Sequence, residues 1–294
     1  MGDERNSANS VNSALVVRAL TGDGQIRMSA IDATPLWDGV RRGHPHLEAD
    51  SCGPLTELLA GATLLQSRSL LTERVQLAVR SSGRAKAIVA DSWPNGSIRG
   101  ILDLNPACTN GQWLAFPGLF QVMRSNPKGQ PYIGNLELVD GPISAQLEYY
   151  LQQSEQIQAC VALWCDTASG AAGGVLVEPL PNCPPGRIKR MVAGIEGLEV
   201  TQLWERTPEF LVSWINQGSG AEVLSMQTIE YRCRCSKESL IDILGTMPRN
   251  ERENIFANGK ATVNCEYCGK SYEIGPEEMP DTDNSSGLST ESTP

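Results

Sequence analysis

Two cysteine pairs near the C-terminus constrain this chain more than anything else in it. Cys233-Arg234-Cys235 is a C-x-C, and Cys265-Glu266-Tyr267-Cys268 is a C-x-x-C followed by Gly269, with 29 residues between Cys235 and Cys265. Zinc takes four ligands in a tetrahedron, and four thiolates satisfy it with no open position. On an extended strand residues i and i+2 point the same way, so Cys233 and Cys235 can reach one ion together. The C-x-x-C-Gly knuckle presents Cys265 and Cys268 on one side, and Gly269 allows the left-handed backbone such a turn often needs. Cys233, Cys235, Cys265 and Cys268 are therefore read as the ligands of one zinc ion. The competing arrangements are two free dithiols or two local disulfides.

A closed four-thiolate site has no place for a catalytic water, which argues against a metalloenzyme. It leaves a structural site or a redox-switched one. A disulfide across a C-x-C closes a small, strained ring, and strained, exposed disulfides tend to be labile or regulatory. Arg232, Arg234, Lys237 and Lys270 flank the ligands. Cations stabilise thiolates and keep them open to oxidants.

The residues between the pairs predict two short helices, at 237–244 with Ser236 as N-cap and at 250–256. A hairpin of 260–263 with 271–274 carries the knuckle. The module 232–275 has too little core to be stable alone. Metal binding is then part of its folding free energy, about 10–16 kcal/mol for structural zinc near neutral pH.

Upstream, the fold class reads as α+β: a mixed sheet-and-helix domain over 13–178, a helical linker, and the small four-cysteine domain. Residues 1–12 are polar and expected to be disordered. Apolar stretches on either side of Gly22-Asp23-Gly24 predict a hairpin. Leu55, Leu58, Leu59, Ala62 and Leu65 mark the buried face of a helix that starts at Cys52-Gly53-Pro54. Strand-like runs follow at 75–79, 87–90, 98–102 and 132–139. A second helix begins near Ser144 with Leu147, Tyr150 and Leu151 on one face, and strands follow at 161–163 and 174–177. At 179 the composition shifts to a Pro-rich breaker cluster. Residues 179–231 read as a linker of two weak amphipathic helices. One carries Ile188, Met191, Val192 and Ile195, the other Phe210, Leu211 and Trp214. An equally good reading makes this segment the C-terminal part of the first domain.

The net charge is −10, and the stretch 276–294, expected to be a disordered acidic tail, holds five carboxylates and no Lys or Arg. An acidic chain repels phosphate backbones and anionic lipid, so neither nucleic acid nor a membrane is expected as a partner. The chain starts without an apolar leader pattern, and nine cysteines is an odd number for a disulfide scaffold. A soluble, reducing, cytoplasmic setting fits best.

Cys233-Arg234-Cys235-Ser236 together with Cys265-Glu266-Tyr267-Cys268-Gly269-Lys270 resembles the redox-regulated holdase chaperones of the thirty-three-kilodalton heat-shock protein family. The stretch from Tyr149 to Ile157 looks like that family's helix ending. Ala171-Ala172-Gly173-Gly174-Val175-Leu176-Val177 is similar to its glycine-rich strand, and the stretch from Thr56 to Leu65 resembles its early helix. The order of parts fits over nearly the whole chain. The resemblance implies a chaperone that is not an enzyme and uses no ATP. Reduced, all four cysteines hold zinc and the protein is inactive. Oxidants acting with unfolding conditions form Cys233–Cys235 and Cys265–Cys268 disulfides, zinc leaves, and the small domain unfolds. The linker then exposes apolar surface that binds unfolding client proteins and protects them from aggregation. The active form is a homodimer. Ile188, Met191, Val192, Ile195, Phe210, Leu211 and Trp214 become the client-binding candidates.

Cys52, Cys108, Cys160, Cys165 and Cys183 are extra to the motif; Cys160 and Cys165 sit in an apolar run and read as inert core thiols. His44 and His46 read as surface residues. No P-loop, dinucleotide fingerprint, G-x-S-x-G or H-E-x-x-H is present. Two rival functions are a zinc ribbon that binds nucleic acid and a thiol-disulfide oxidoreductase using Cys265 and Cys268. Against the first, residues 233–275 carry six basic and six acidic side chains and no basic stripe. Against the second, Cys265 and Cys268 lie between strand-like segments rather than at a helix start.

Overall fold

The computed structural model describes residues 13–69, 72–127, 129–188, 207–216 and 220–280. The chain divides into two compact units, Met1–Arg232 and Cys233–Pro294. The expected disordered N-terminus, most of the acidic tail, and the linker residues Met191, Val192 and Ile195 lie outside the described residues.

The first unit is built on a ten-stranded sheet. The hairpin β1 (Ser13–Thr21) and β2 (Ile26–Asp32) forms where the flanking apolar stretches predict it. After helix α1 (Thr34–Gly43) and helix α2 (Ala49–Arg68) come β3 (Arg74–Ser81), β4 (Ala85–Ser92), β5 (Ser97–Leu104), β6 (Gly118–Ser125) and β7 (Tyr132–Glu137). Helix α3 (Ile143–Ser154) precedes β8 (Cys160–Cys165) and β9 (Ala172–Pro179), and a short helix α4 (Pro208–Ile215) precedes β10 (Ala221–Tyr231). The strand order is β7-β6-β3-β4-β5-β10-β1-β2-β9-β8. All pairings are antiparallel except β10 with β5, which is parallel and involves only Glu230 and Tyr231.

Helix α2 is the centre of this unit. Leu55, Leu58, Leu59, Ala62 and Leu65 are buried as their spacing predicts, but so are most of their neighbours, because the sheet curls around the helix. A helix covered on nearly every side must satisfy its polar side chains internally. Thr56 and Thr63 do so by donating to the carbonyls of Cys52 and Leu59, at 2.9 and 3.0 Å. The helix begins at Ala49, a turn before the Cys52-Gly53-Pro54 start expected from sequence, so Pro54 lies inside it.

Period-two alternation splits the apolar residues of β1, β2, β8 and β9 between two clusters. Ala14, Val16, Ile31, Val161 and Leu176 pack with α2. Val17, Ala19, Ile26, Met28, Ala30, Trp164, Val175 and Val177 form a second cluster, covered by Leu211, Val212 and Ile215 of α4. The C-terminal end of α2 is fixed by charge. Arg68 reaches Glu178 at 2.7 Å and Glu155 at 2.8 Å, and Arg124 reaches Glu155 at 2.5 Å. Burial opposes ionisation of Glu155, but Arg68 and Arg124 outweigh it and hold the carboxyl below its ordinary pKa.

Two expectations change here. Residues 221–231, expected within a helical linker, form a strand that pairs with β1 from Ala221 to Glu230. The pattern hid this because Val223, Leu224 and Met226 are exposed and Ile229 is the strand's one fully buried side chain. The end of β10 is locked in place. A Cβ on Gly39 of α1 would stand 2.3 Å from Tyr231 Cβ, so only glycine allows this approach. His44, expected at the surface, is buried there, with Nε2 2.9 Å from the Gly100 carbonyl oxygen and 3.0 Å from the Tyr231 hydroxyl.

The second unit holds helices α5 (Lys237–Gly245) and α6 (Arg249–Ile255) and the hairpin β11 (Ala261–Asn264) with β12 (Ser271–Ile274). Ser236 caps α5 as predicted, in a reciprocal box. Its hydroxyl accepts from Ser239 N–H at 3.1 Å, and the Ser239 hydroxyl accepts from Ser236 N–H at 3.0 Å. The unit runs past 275, the boundary expected from sequence. A 3-10 turn at Pro276–Glu278 follows, and Glu278 pairs with Lys237 at 2.5 Å. Among its described residues the buried apolar side chains are Leu244, Cys265, Tyr272 and Ile274. So small a core does not hold 45-odd residues together by hydrophobic burial alone.

Candidate metal centre

Cys233 and Cys235 follow the end of β10, and Cys265 and Cys268 sit in the β11–β12 turn. In that turn Cys268 N–H and Gly269 N–H both donate to the Cys265 carbonyl, and Cys265 N–H donates to the Lys270 carbonyl. Gly269 has φ +68, the left-handed conformation that the C-x-x-C-Gly pattern anticipated. All four Sγ atoms lie within 4.8 Å of one another. The shortest contacts cross between the pairs, Cys233 with Cys265 at 3.6 Å and Cys235 with Cys268 at 3.5 Å.

Four thiolates about 2.3 Å from one ion in a tetrahedron stand about 3.8 Å apart. The observed spacing fits that geometry, and the donor set, all sulfur, suits zinc. Among the described residues the cluster consists of these four cysteines.

Tyr272 completes the surroundings, and sequence reading passed over it. Its hydroxyl lies 3.2 Å from Cys235 Sγ and donates to the Cys235 carbonyl at 3.3 Å. Its inward position follows from alternation along β12, where Tyr272 and Ile274 are buried and Ser271 and Glu273 are exposed; that alternation was the available signal. Burial opposes charge on Cys235, but hydrogen bonds from Tyr272 and from the other cysteines outweigh it and bring its pKa down to about 7. Burial pushes Cys268 up to about 12 and raises Cys265 as well. Lys270, one of the flanking cations, lies 5.0 Å over the Tyr272 ring.

Of the extra cysteines, Cys165 is held neutral, since burial pushes its pKa up to about 12, and burial raises Cys52 in the same way. Thiols that do not ionise are poor nucleophiles toward oxidants. Cys183 packs at the edge of the cluster beneath α4, as does Ile188.

The linker candidates separate by exposure. Leu211 is buried with Val212 and Ile215 against the sheet, Phe210 is 40% exposed, and Trp214 lies within α4. Val212 was not among the residues anticipated. The helix expected to carry Met191, Val192 and Ile195 lies outside the described residues. No described helix is long and apolar enough to cross a membrane.

The family model described as Hsp33 protein matches residues 15–275. A 33 kDa chaperonin of Geobacter sulfurreducens is 30% identical, over 93% of this chain and 96% of its own length. A 33 kDa chaperonin of Thermus thermophilus is 31% identical, over 90% of this chain and 85% of its own. In fold, the chain resembles the crystal structure of the 33 kDa chaperonin from Thermotoga maritima with a TM-score of 0.75 and 23% identity, over 90% of this chain and 95% of that one.

Proposed function

The chain belongs to the Hsp33 family, and from that premise we propose that it is an ATP-independent holdase whose four cysteines sense oxidants. Its relatives carry a chaperonin name, and the chain is a chaperone rather than an enzyme. The observation that carries the redox reading is the gathering of four sulfurs within 4.8 Å in a unit with almost no core of its own.

Cys233, Cys235, Cys265 and Cys268 would hold the zinc ion. When bound, zinc gathers the four thiolates and contributes folding free energy to the small unit. The sensing step belongs to the cysteines. In each disulfide two thiols give two electrons and two protons to one peroxide molecule, which leaves as two waters. The pairing carried over from the family resemblance is Cys233 with Cys235 and Cys265 with Cys268. A unit whose described residues bury four apolar side chains is not expected to survive the loss of its cross-link.

The trigger is assigned to the part of the linker that precedes β10, with helix α4. Among its described side chains, helix α4 covers an apolar sheet face with Leu211, Val212 and Ile215, and a helix this short has little stability apart from that docking. Its departure exposes Val17, Met28, Trp164 and their neighbours for unfolding clients to bind. The active form is a homodimer working in the cytoplasm.

The test is to heat the reduced, zinc-loaded protein with peroxide and follow zinc release and light scattering from an unfolding client in the same sample. Zinc release coincident with suppressed client aggregation, both reversed by a thiol reductant, is the expected result. Release with no gain in suppression, or equal suppression before oxidation, makes the site structural and removes the coupling.

A further inference from the structure

A cavity of about 470 Å3 opens within the first unit. One wall is the loop between β5 and β6, which contributes Trp113, Leu114 and Phe116; another is Leu138 and Ile143 before and at the start of α3; the first turns of α2 bring Glu57 into it. This volume lies in the range of small-ligand sites, which are mostly apolar with a few converging polar groups.

The charged groups are all of one sign. Asp50, Glu57 and Asp140 line the cavity, and no Lys, Arg or His is among its described lining residues. Asp50 is already engaged by Arg84 at 2.8 Å, and that guanidinium stacks 3.8 Å over the Trp113 ring. Glu57 differs. It has no hydrogen-bond or ion-pair partner among the described residues, and it is half-buried where it lines the cavity. Burial alone pushes its pKa up to about 7. A half-buried carboxyl that lines the cavity without a partner offers an acceptor to a cation entering it.

We propose that this cavity binds an extended peptide segment that presents a lysine or arginine side chain flanked by apolar residues. The cation meets Glu57, its aliphatic stem lies along Leu138 and Ile143, and a neighbouring apolar side chain packs on Trp113 and Phe116. Long cationic side chains are suited to such a site because stem and head have opposite preferences. The carboxylates of Asp50 and Asp140 exclude acidic segments by like-charge repulsion. The inference goes beyond the oxidation switch. It concerns the first unit and is read in the reduced chain, where the switch is off, so either can fail without the other.

The experiment is calorimetric titration of the full-length, reduced, zinc-loaded protein with three probes: acetyl-Phe-Lys-Phe-amide, its norleucine analogue, and phenethylammonium chloride. The lysine peptide is expected to bind about tenfold more tightly than the neutral analogue, the scale of one charge-assisted hydrogen bond. Glu57→Gln, checked for an unchanged melting temperature or better, abolishes that preference and leaves the norleucine peptide unaffected. Phe116→Ser, at a side chain that is 57% exposed and so does not support the core, weakens both peptides alike. Equal affinity for the two peptides, or a preference that persists in Glu57→Gln, overturns the proposal. Phenethylammonium binding as tightly as the lysine peptide makes the occupant a free amine and overturns the peptide assignment.

Discussion

At Cys235 a neutral tyrosine joins the neighbouring cysteines in setting the chemistry of the sulfur. The Tyr272 hydroxyl touches both its Sγ and its carbonyl. Groups that orient a metal ligand typically contribute 10–100-fold to metal affinity. Tyr272→Phe is therefore expected to lose zinc to a competing chelator at about tenfold lower chelator concentration, with the fold of the first unit unchanged by circular dichroism. A second residue-scale effect concerns protons. Burial lowers the His44 pKa below 6.5, so the unfolded chain takes up this proton first as pH falls. Stability from His44 is complete above about pH 6.5 and is lost as pH drops from there toward the folded pKa. The urea midpoint of the wild type should fall between pH 7 and pH 5.5 more steeply than that of His44→Gln; parallel profiles would exclude this role.

Helices and strands show what periodicity reveals and what it hides. The spacing in 55–65 located α2, and Ser236 with the apolar residues behind it located α5, because both have regular caps or faces. Helix α1 and strand β6 were not singled out, and β10 was merged with the linker, since exposed Val223, Leu224 and Met226 break its alternation. The gathering of the four cysteines was legible, because a C-x-C and a C-x-x-C each bring two sulfurs to one side. Tyr272, Glu57 and His44 were not, because their roles depend on which distant segments fold against them. The docking of α4 carries its own prediction. Leu211→Asp places a charge at a position only 2% exposed on the sheet face, and a buried unpaired charge costs several kcal/mol. The reduced, zinc-loaded variant is expected to suppress client aggregation without oxidant. If suppression still requires peroxide, α4 is not the trigger.

Across the whole molecule the two units rest on different physics. The first is held by a large apolar core around α2, the second by four sulfurs and a handful of apolar contacts. Chelation of the metal should abolish hydrogen-exchange protection in 233–280 while leaving β1–β5 and α2 protected; loss of protection in both together would show that they fold as one.

The bracket of Arg68, Glu178, Glu155 and Arg124 at the end of α2 bears on heat. The hydration that ions forfeit on burial becomes less favourable as temperature rises, so such a network loses comparatively little on warming. The ion pairs described in the second unit, Lys237 with Glu278 and Arg249 with Glu253, are partly or fully exposed and lie outside the hairpin that carries Cys265 and Cys268. Warming therefore acts on the chain as a graded thermometer. The cysteine hairpin is expected to loosen at temperatures the bracketed sheet still withstands, which would leave its sulfurs reachable while the first unit is still folded.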